Sequence, residues 1–181
     1  LYTREEIEQL ARDRTAEARS CSVGVSRPFG EKWQWSLDAS TMNFGATPAS
    51  GGVAATPASG SDTAVSTQIL GYGLFGRGDV TSIGAQYQTG ENQEMVSFDL
   101  GAQLPIGERW RLGPRLRIDQ RTLKTDDSDA LTYTPALRAE MRHKRFTVEF
   151  EGGAELGSRD LGDATEDTSR YYFSLGYRYD F

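Results

Sequence analysis

Arg111, Arg115, Arg117 and Arg121 all carry odd residue numbers in the stretch W-R-L-G-P-R-L-R-I-D-Q-R. Arg138 and Arg142 continue the series at even numbers in the next segment. Glu149, Glu151 and Glu155 follow with opposite sign, and Arg178 lies near the end of the chain. Guanidinium groups are permanent cations and ionised carboxylates are acceptors only, so such rows bind or conduct polar solutes rather than attack them. Nucleophilic chemistry needs a hydroxyl or thiol beside a base. The only histidine, His143, sits between Arg142 and Lys144 in a predicted turn, and Cys21 is the only cysteine. One cysteine and one histidine supply neither a disulfide nor a ligand cluster. The chain is read as no enzyme, with no cofactor and no metal site.

Rows of this spacing are positioned by strands, because successive side chains of a strand point to opposite faces. After Ser20 a period of two persists to the end of the sequence. About nine strands are predicted, over 21–29, 32–44, 64–76, 79–90, 94–105, 109–123, 130–142, 146–158 and 171–181. Residues 1–20 read as a charged helix or loop helix, with Thr3 and Glu6 at capping-box spacing. Residues 21–181 hold the strands, interrupted by a long loop at 45–63 that contains the near-repeat A-T-P-A-S-G.

The face opposite each charged row is nearly free of charge. Trp110, Leu112, Leu116 and Ile118 oppose the first arginine row, Leu131, Tyr133, Leu137 and Met141 the second, and Phe146, Val148, Phe150, Ala154 and Leu156 the glutamates. In the last strand Tyr171, Phe173, Leu175, Tyr177, Tyr179 and Phe181 share one side. Water imposes no exclusion of charge on an exposed face, whereas an Arg or Lys facing lipid at mid-bilayer costs roughly 2–4 kcal/mol. No apolar run approaches the length of a membrane helix, and a formal charge of -6 argues against nucleic acid as a partner. The expected fold is all-β: an antiparallel transmembrane β-barrel of eight or nine strands here, either closed alone or part of a larger even-stranded barrel, after a short N-terminal helix.

Short connectors such as P-F-G-E-K, P-I-G-E-R and R-H-K-R alternate with longer polar ones, including K-T-D-D-S-D-A and G-S-R-D-L-G-D-A-T-E-D-T-S. That alternation is the habit of bacterial outer-membrane barrels. Trp33, Trp35 and Trp110 fall near the short-turn end, where interfacial aromatics belong. The terminus resembles a known address: Ser174-x-Gly176-x-x-Tyr179-x-Phe181 fits the signal read by the barrel assembly machinery. That resemblance implies a bacterial outer-membrane location, with short turns and C-terminus periplasmic and the longer loops extracellular.

The stretches V-S-R-P-F-G-E-K-W-Q-W-S-L-D-A-S, T-P-A-S-G-G-V-A-A-T-P and F-D-L-G-A-Q-L-P-I-G-E-R-W-R-L-G-P-R-L-R-I-D-Q-R resemble the C-terminal barrel region of tetratricopeptide-repeat outer-membrane proteins. In exopolysaccharide-export porins of that kind a periplasmic helical-repeat array precedes the barrel. The resemblance implies a pore that exports or passes polar solutes or polymer. Expected partners are outer-membrane lipid, lipopolysaccharide, the assembly machinery and an upstream periplasmic repeat domain or other envelope proteins. Two outcomes stay open from the residues alone. The Arg and Glu rows either pair and fill a small closed eight-stranded barrel, a membrane anchor or adhesion protein, or line a wider wet pore. Odd strand parity favours strands missing from this chain.

Overall fold

Thr3 caps the N-terminus of helix α1 (Arg4–Asp13) as its spacing predicts. Its hydroxyl accepts from the Glu6 amide at 3.3 Å, and the Glu6 carboxylate accepts from the Thr3 amide at 2.7 Å. The pair of bonds holds the Glu6 carboxyl below the usual carboxylate range. The computed structural model of the chain describes residues 3–126, 128–161 and 164–180. The helix is shorter than the 1–20 expected, because the chain turns into its first strand at Ala18.

Nine strands follow: β1 (Ala18–Phe29), β2 (Trp33–Phe44), β3 (Asp62–Tyr72), β4 (Val80–Thr89), β5 (Gln93–Ile106), β6 (Trp110–Leu123), β7 (Ser128–His143), β8 (Phe146–Asp160) and β9 (Thr165–Tyr179). They form one sheet in sequence order, each antiparallel to the next. The eight-strand count therefore falls away. β1 and β9 are the two edges of the sheet and do not pair with each other among the described residues.

One segment expected as a long polar loop, 157–169, is mostly strand. The connectors at that end are 45–61, 90–92, 124–127 and 161–164, against 30–32, 73–79, 107–109 and 144–145 at the other. Only 45–61 is long. Residues 157–160 and 165–169 read as loop because they are rich in Gly, Ser and Asp. They pair nonetheless, Ser158 with Asp167 and Arg159 with Glu166, since ladder hydrogen bonds outweigh weak strand propensity.

The cross-strand register keeps the two faces apart over the whole sheet. One uninterrupted rung reads Trp35, Ile69, Ile83, Leu100, Leu116, Pro135, all on the apolar face. The charged residues of that face are Arg19, Arg27, Glu94, Asp129, Asp160 and Asp167, each within three residues of a strand end. Among the described residues no apolar side chain is buried; the buried ones are Asp79, Ser97, Ser128 and Thr147. The accessible surface is 13363 Å², against roughly 8,700 Å² for a compact water-soluble monomer of this mass. The apolar groups of this fold lie outside it.

The turn between β3 and β4 is built on one carboxylate. Asp79, 2% exposed, accepts the amides of Leu74 at 2.8 Å and Gly76 at 2.9 Å, and that of Phe75 between them. Lys32 donates to the Gly73 carbonyl at 2.9 Å and ties this turn to the one between β1 and β2. Asp79→Ala strands three amide donors, and lost buried hydrogen bonds cost about 1–3 kcal/mol each. Hydrogen exchange at residues 74–76 should accelerate about tenfold or more, while amides of β6 and β7 remain protected.

Candidate functional site

The sheet curls with its polar face inside. Side chains from β2, β3, β4, β5, β6, β7 and β9 line one shared cavity of 520 Å³, among them Asp38, Gln68, Asp99, Arg115, Arg117 and Tyr172. The wall has two halves. On β2 to β4 it is mostly uncharged, with Ser36, Ser66, Gln68, Ser82 and Gln86 around the carboxylate of Asp38. On β5 and β6 it carries Asp99, Arg115 and Arg117. Curling brings hydroxyls and amides opposite guanidinium groups across water-sized space.

All of the charged residues singled out in the sequence lie on this face, as the register shows. Two arginines reach glutamates on β8. Arg138 meets Glu149 at 2.5 Å across adjacent strands. Arg115 meets Glu151 at 2.8 Å, passing over β7, where the in-register residue is Ala136 and leaves room for it. Arg117 turns instead to its own strand. It binds Asp119 at 2.8 Å and comes within 4.0 Å of Asp99, while fully buried Ser97 donates to Asp119 at 2.5 Å. Arg178 pairs with Asp180 at 3.2 Å. Among the described residues Arg111, Arg121, Arg142 and Glu155 make no ion pair within 4.0 Å. The rows thus pair only in part, and the cavity persists beside the pairs.

Tyr172 enters this site from the sheet edge and was not among the expected residues. It faces Gly153 in register, and a Cβ on Gly153 would stand 2.6 Å from the phenol ring. The glycine makes room for the end of the ring beside β8. The glycine pair of β8 faces two aromatics of β9, Gly153 with Tyr172 and Gly152 with Phe173, an aromatic covering a glycine across a strand pair. Asp38 and Asp99 were also missed as cavity residues, since neither belongs to a charged row.

At the end holding 45–61, Arg159 donates to Asp126 at 3.2 Å and to Ser128 at 3.1 Å. The hydroxyl and amide of Ser128 hold the Asp126 carboxyl below the usual range, with Arg159 adding to the effect. The loop 45–61 folds into a small hairpin through Thr47–Thr56 and Ser50–Val53 bridges. Arg14 of the α1 C-terminus donates to the Gly51 carbonyl at 2.8 Å, and Glu91 accepts from the Gly60 amide at 2.8 Å. Helix, hairpin and the next connector are pinned together.

At the opposite end Trp33 stacks near Phe29 with ring centroids 6.1 Å apart, and Phe146 meets Tyr179 edge-on at 4.9 Å. Trp110 is exposed on the same apolar face. Trp35 lies one outward position further in, where its indole N–H donates to Thr67 at 2.8 Å. In β9, Ser174 and Gly176 face the polar side and Tyr179 the apolar side. Phe181, the last residue of the assembly signal, lies outside the described residues.

No protein-family model and no curated protein matches the chain. Among solved structures, OmpT (in-vitro folded), an outer membrane protein of Vibrio cholerae, superposes with a TM-score of 0.64 at 15% sequence identity. The match covers 94% of this chain and 57% of that one, so the chain spans little more than half the length of that neighbour. At this identity the likeness is one of fold: the nine-stranded antiparallel sheet with its short N-terminal helix is built like an outer-membrane β-barrel, left open between β1 and β9.

Proposed function

We propose that the chain forms part of the wall of an outer-membrane pore that passes polar solutes or a polar polymer. The observation that carries this reading is the 520 Å³ polar cavity, which stays open inside the curl although several arginines and carboxylates around it are paired. A small barrel filled by its own side chains would close that space. The apolar face, whose charges lie only near strand ends, is the lipid contact, and the aromatics at the short-turn end sit at the membrane interface. The long 45–61 loop and the pinned helix support placing that end outside the cell and the C-terminus in the periplasm. The terminal Ser174, Gly176, Tyr179 and Phe181 pattern would be read by the assembly machinery. The tetratricopeptide-repeat resemblance adds export as the direction of transport and a periplasmic repeat domain as partner. Lipopolysaccharide would meet the outward face at the loop end.

Purified protein in planar bilayers should give discrete conductance steps, and their absence would sink the pore reading in favour of an anchor. Arg121→Glu and Arg142→Glu remove cavity-side cations that hold no ion pair within 4.0 Å among the described residues, so folding should survive. Reversal potentials in a salt gradient should then shift toward cation preference, because charges lining a narrow passage set its ion selectivity.

A further inference from the structure

We propose that β1 and β9 are joined by an odd number of further antiparallel strands of the same polypeptide, so that the nine strands are one sector of a larger, even-stranded barrel. The proposal rests on the membrane reading above and deepens it by naming what completes the wall. In hydrocarbon, unpaired backbone N–H and C=O groups find no water, so a spanning sheet must close. Here, among the described residues, both edges are open.

Direction decides what can close them. β1 runs from the end holding 45–61 toward the short turn at 30–32, and β9 runs from 161–164 toward the end holding 144–145. Those are the same two ends of the sheet, so β1 and β9 are parallel to each other. Joining them directly would insert one parallel ladder in an otherwise antiparallel wall. A second copy in the same membrane orientation offers edges of the same polarity and meets the same obstacle. Only an odd number of intervening strands keeps every pairing antiparallel.

Two further observations bear on the number and the source. The match with OmpT covers 57% of that chain, and nine strands divided by 0.57 gives about 16 at equal length per strand, which leaves about seven, an odd number. The rest of that neighbour belongs to the same polypeptide as the matched part. In this chain α1 is held against the 45–61 hairpin by Arg14, so residues 3–17 lie at the end where a strand rising before β1 would finish. They have the placement of a connection between two strands. A barrel of about 16 strands encloses an aqueous channel, as the pore reading needs.

The single cysteine makes a direct test. Cys21 is exposed on the apolar face of β1, and Thr41 of β2 is its cross-strand partner. In the natural polypeptide in outer-membrane vesicles, Thr41→Cys should form a disulfide with Cys21 under copper–phenanthroline. Thr165→Cys, Ser169→Cys and Phe173→Cys, spaced along β9, should form none with Cys21, within one chain or between two. Proteinase K should leave a membrane-protected fragment that begins upstream of Leu1 and exceeds 20.0 kDa. A disulfide between Cys21 and β9, or a protected fragment of 20.0 kDa or less, would overturn the proposal. Conductance separates the two readings. Channel steps alongside such a small fragment would remove the extra strands and leave the pore, and a large fragment without steps would do the reverse.

Discussion

Leu100→Arg is expected to destabilise the protein refolded into phosphatidylcholine vesicles by about 2–4 kcal/mol, the cost of a cation on the lipid side at mid-bilayer. Leu100 sits in the middle of β5 on the apolar face, between Ile83 of β4 and Leu116 of β6. No charged residue occurs on that rung from Trp35 to Pro135. An arginine there has no carboxylate to meet and must bend toward an interface several rungs away. Ser66→Arg is the control, because Ser66 lines the polar cavity on β3. Its change should stay within about 0.5 kcal/mol, the usual range where no packing or pairing is lost. Denaturant unfolding by tryptophan fluorescence reads both. Equal costs for the two would remove the lipid-facing assignment. The proposed pore, with water inside and hydrocarbon outside, demands the asymmetry.

Gly153→Ala should cost about 1–3 kcal/mol, the range for overpacking a tight site. An added Cβ would lie 2.6 Å from the Tyr172 ring and 2.8 Å from the Pro135 carbonyl oxygen. The ring can swing away, but the carbonyl belongs to the β7 backbone and moves only with the ladder. A double-mutant cycle separates these contributions. Tyr172→Ser in the Gly153→Ala background should restore part of the loss, and the remainder measures the clash with β7. Full restoration would show that the backbone yields freely. The heat-dependent gel shift of folded barrels and denaturant midpoints both report the outcome. The same position has a functional reading, because Tyr172 also lines the cavity. If the chain walls a pore as proposed, removing its ring alone should widen the passage and raise conductance.

Much of this molecule was legible before its fold. The faces of β5 to β9 follow from counting alternate residues, and so does the separation of Arg115 and Glu151 from Phe98 and Phe150. The capping box at Thr3 was equally local. The ends of β8 and β9 were not. Their Gly, Ser and Asp residues mimic a loop, and only pairing of Arg159 with Glu166 reveals the ladder. Residues 73–76 failed in the other sense. They continue an apolar run, but Asp79 gathers their amides into a turn.

The sequence by itself determined which side chains share a face, because alternation is a property of a single strand and needs no neighbour. It also determined that one face excludes charge, and hence the class of fold. Tertiary structure alone decided which way the sheet curls, and so put Ser36 and Gln68 of one half opposite Arg115 and Tyr172 of the other. It decided that Arg115 bridges over β7 to Glu151 while Arg117 folds back onto Asp119. It also left β1 and β9 parallel and, among the described residues, not paired with each other. Those outcomes depend on register, curvature and strand direction between segments far apart in the chain. A long arginine reaches several carboxylates equally well until neighbouring strands fix where each one stands.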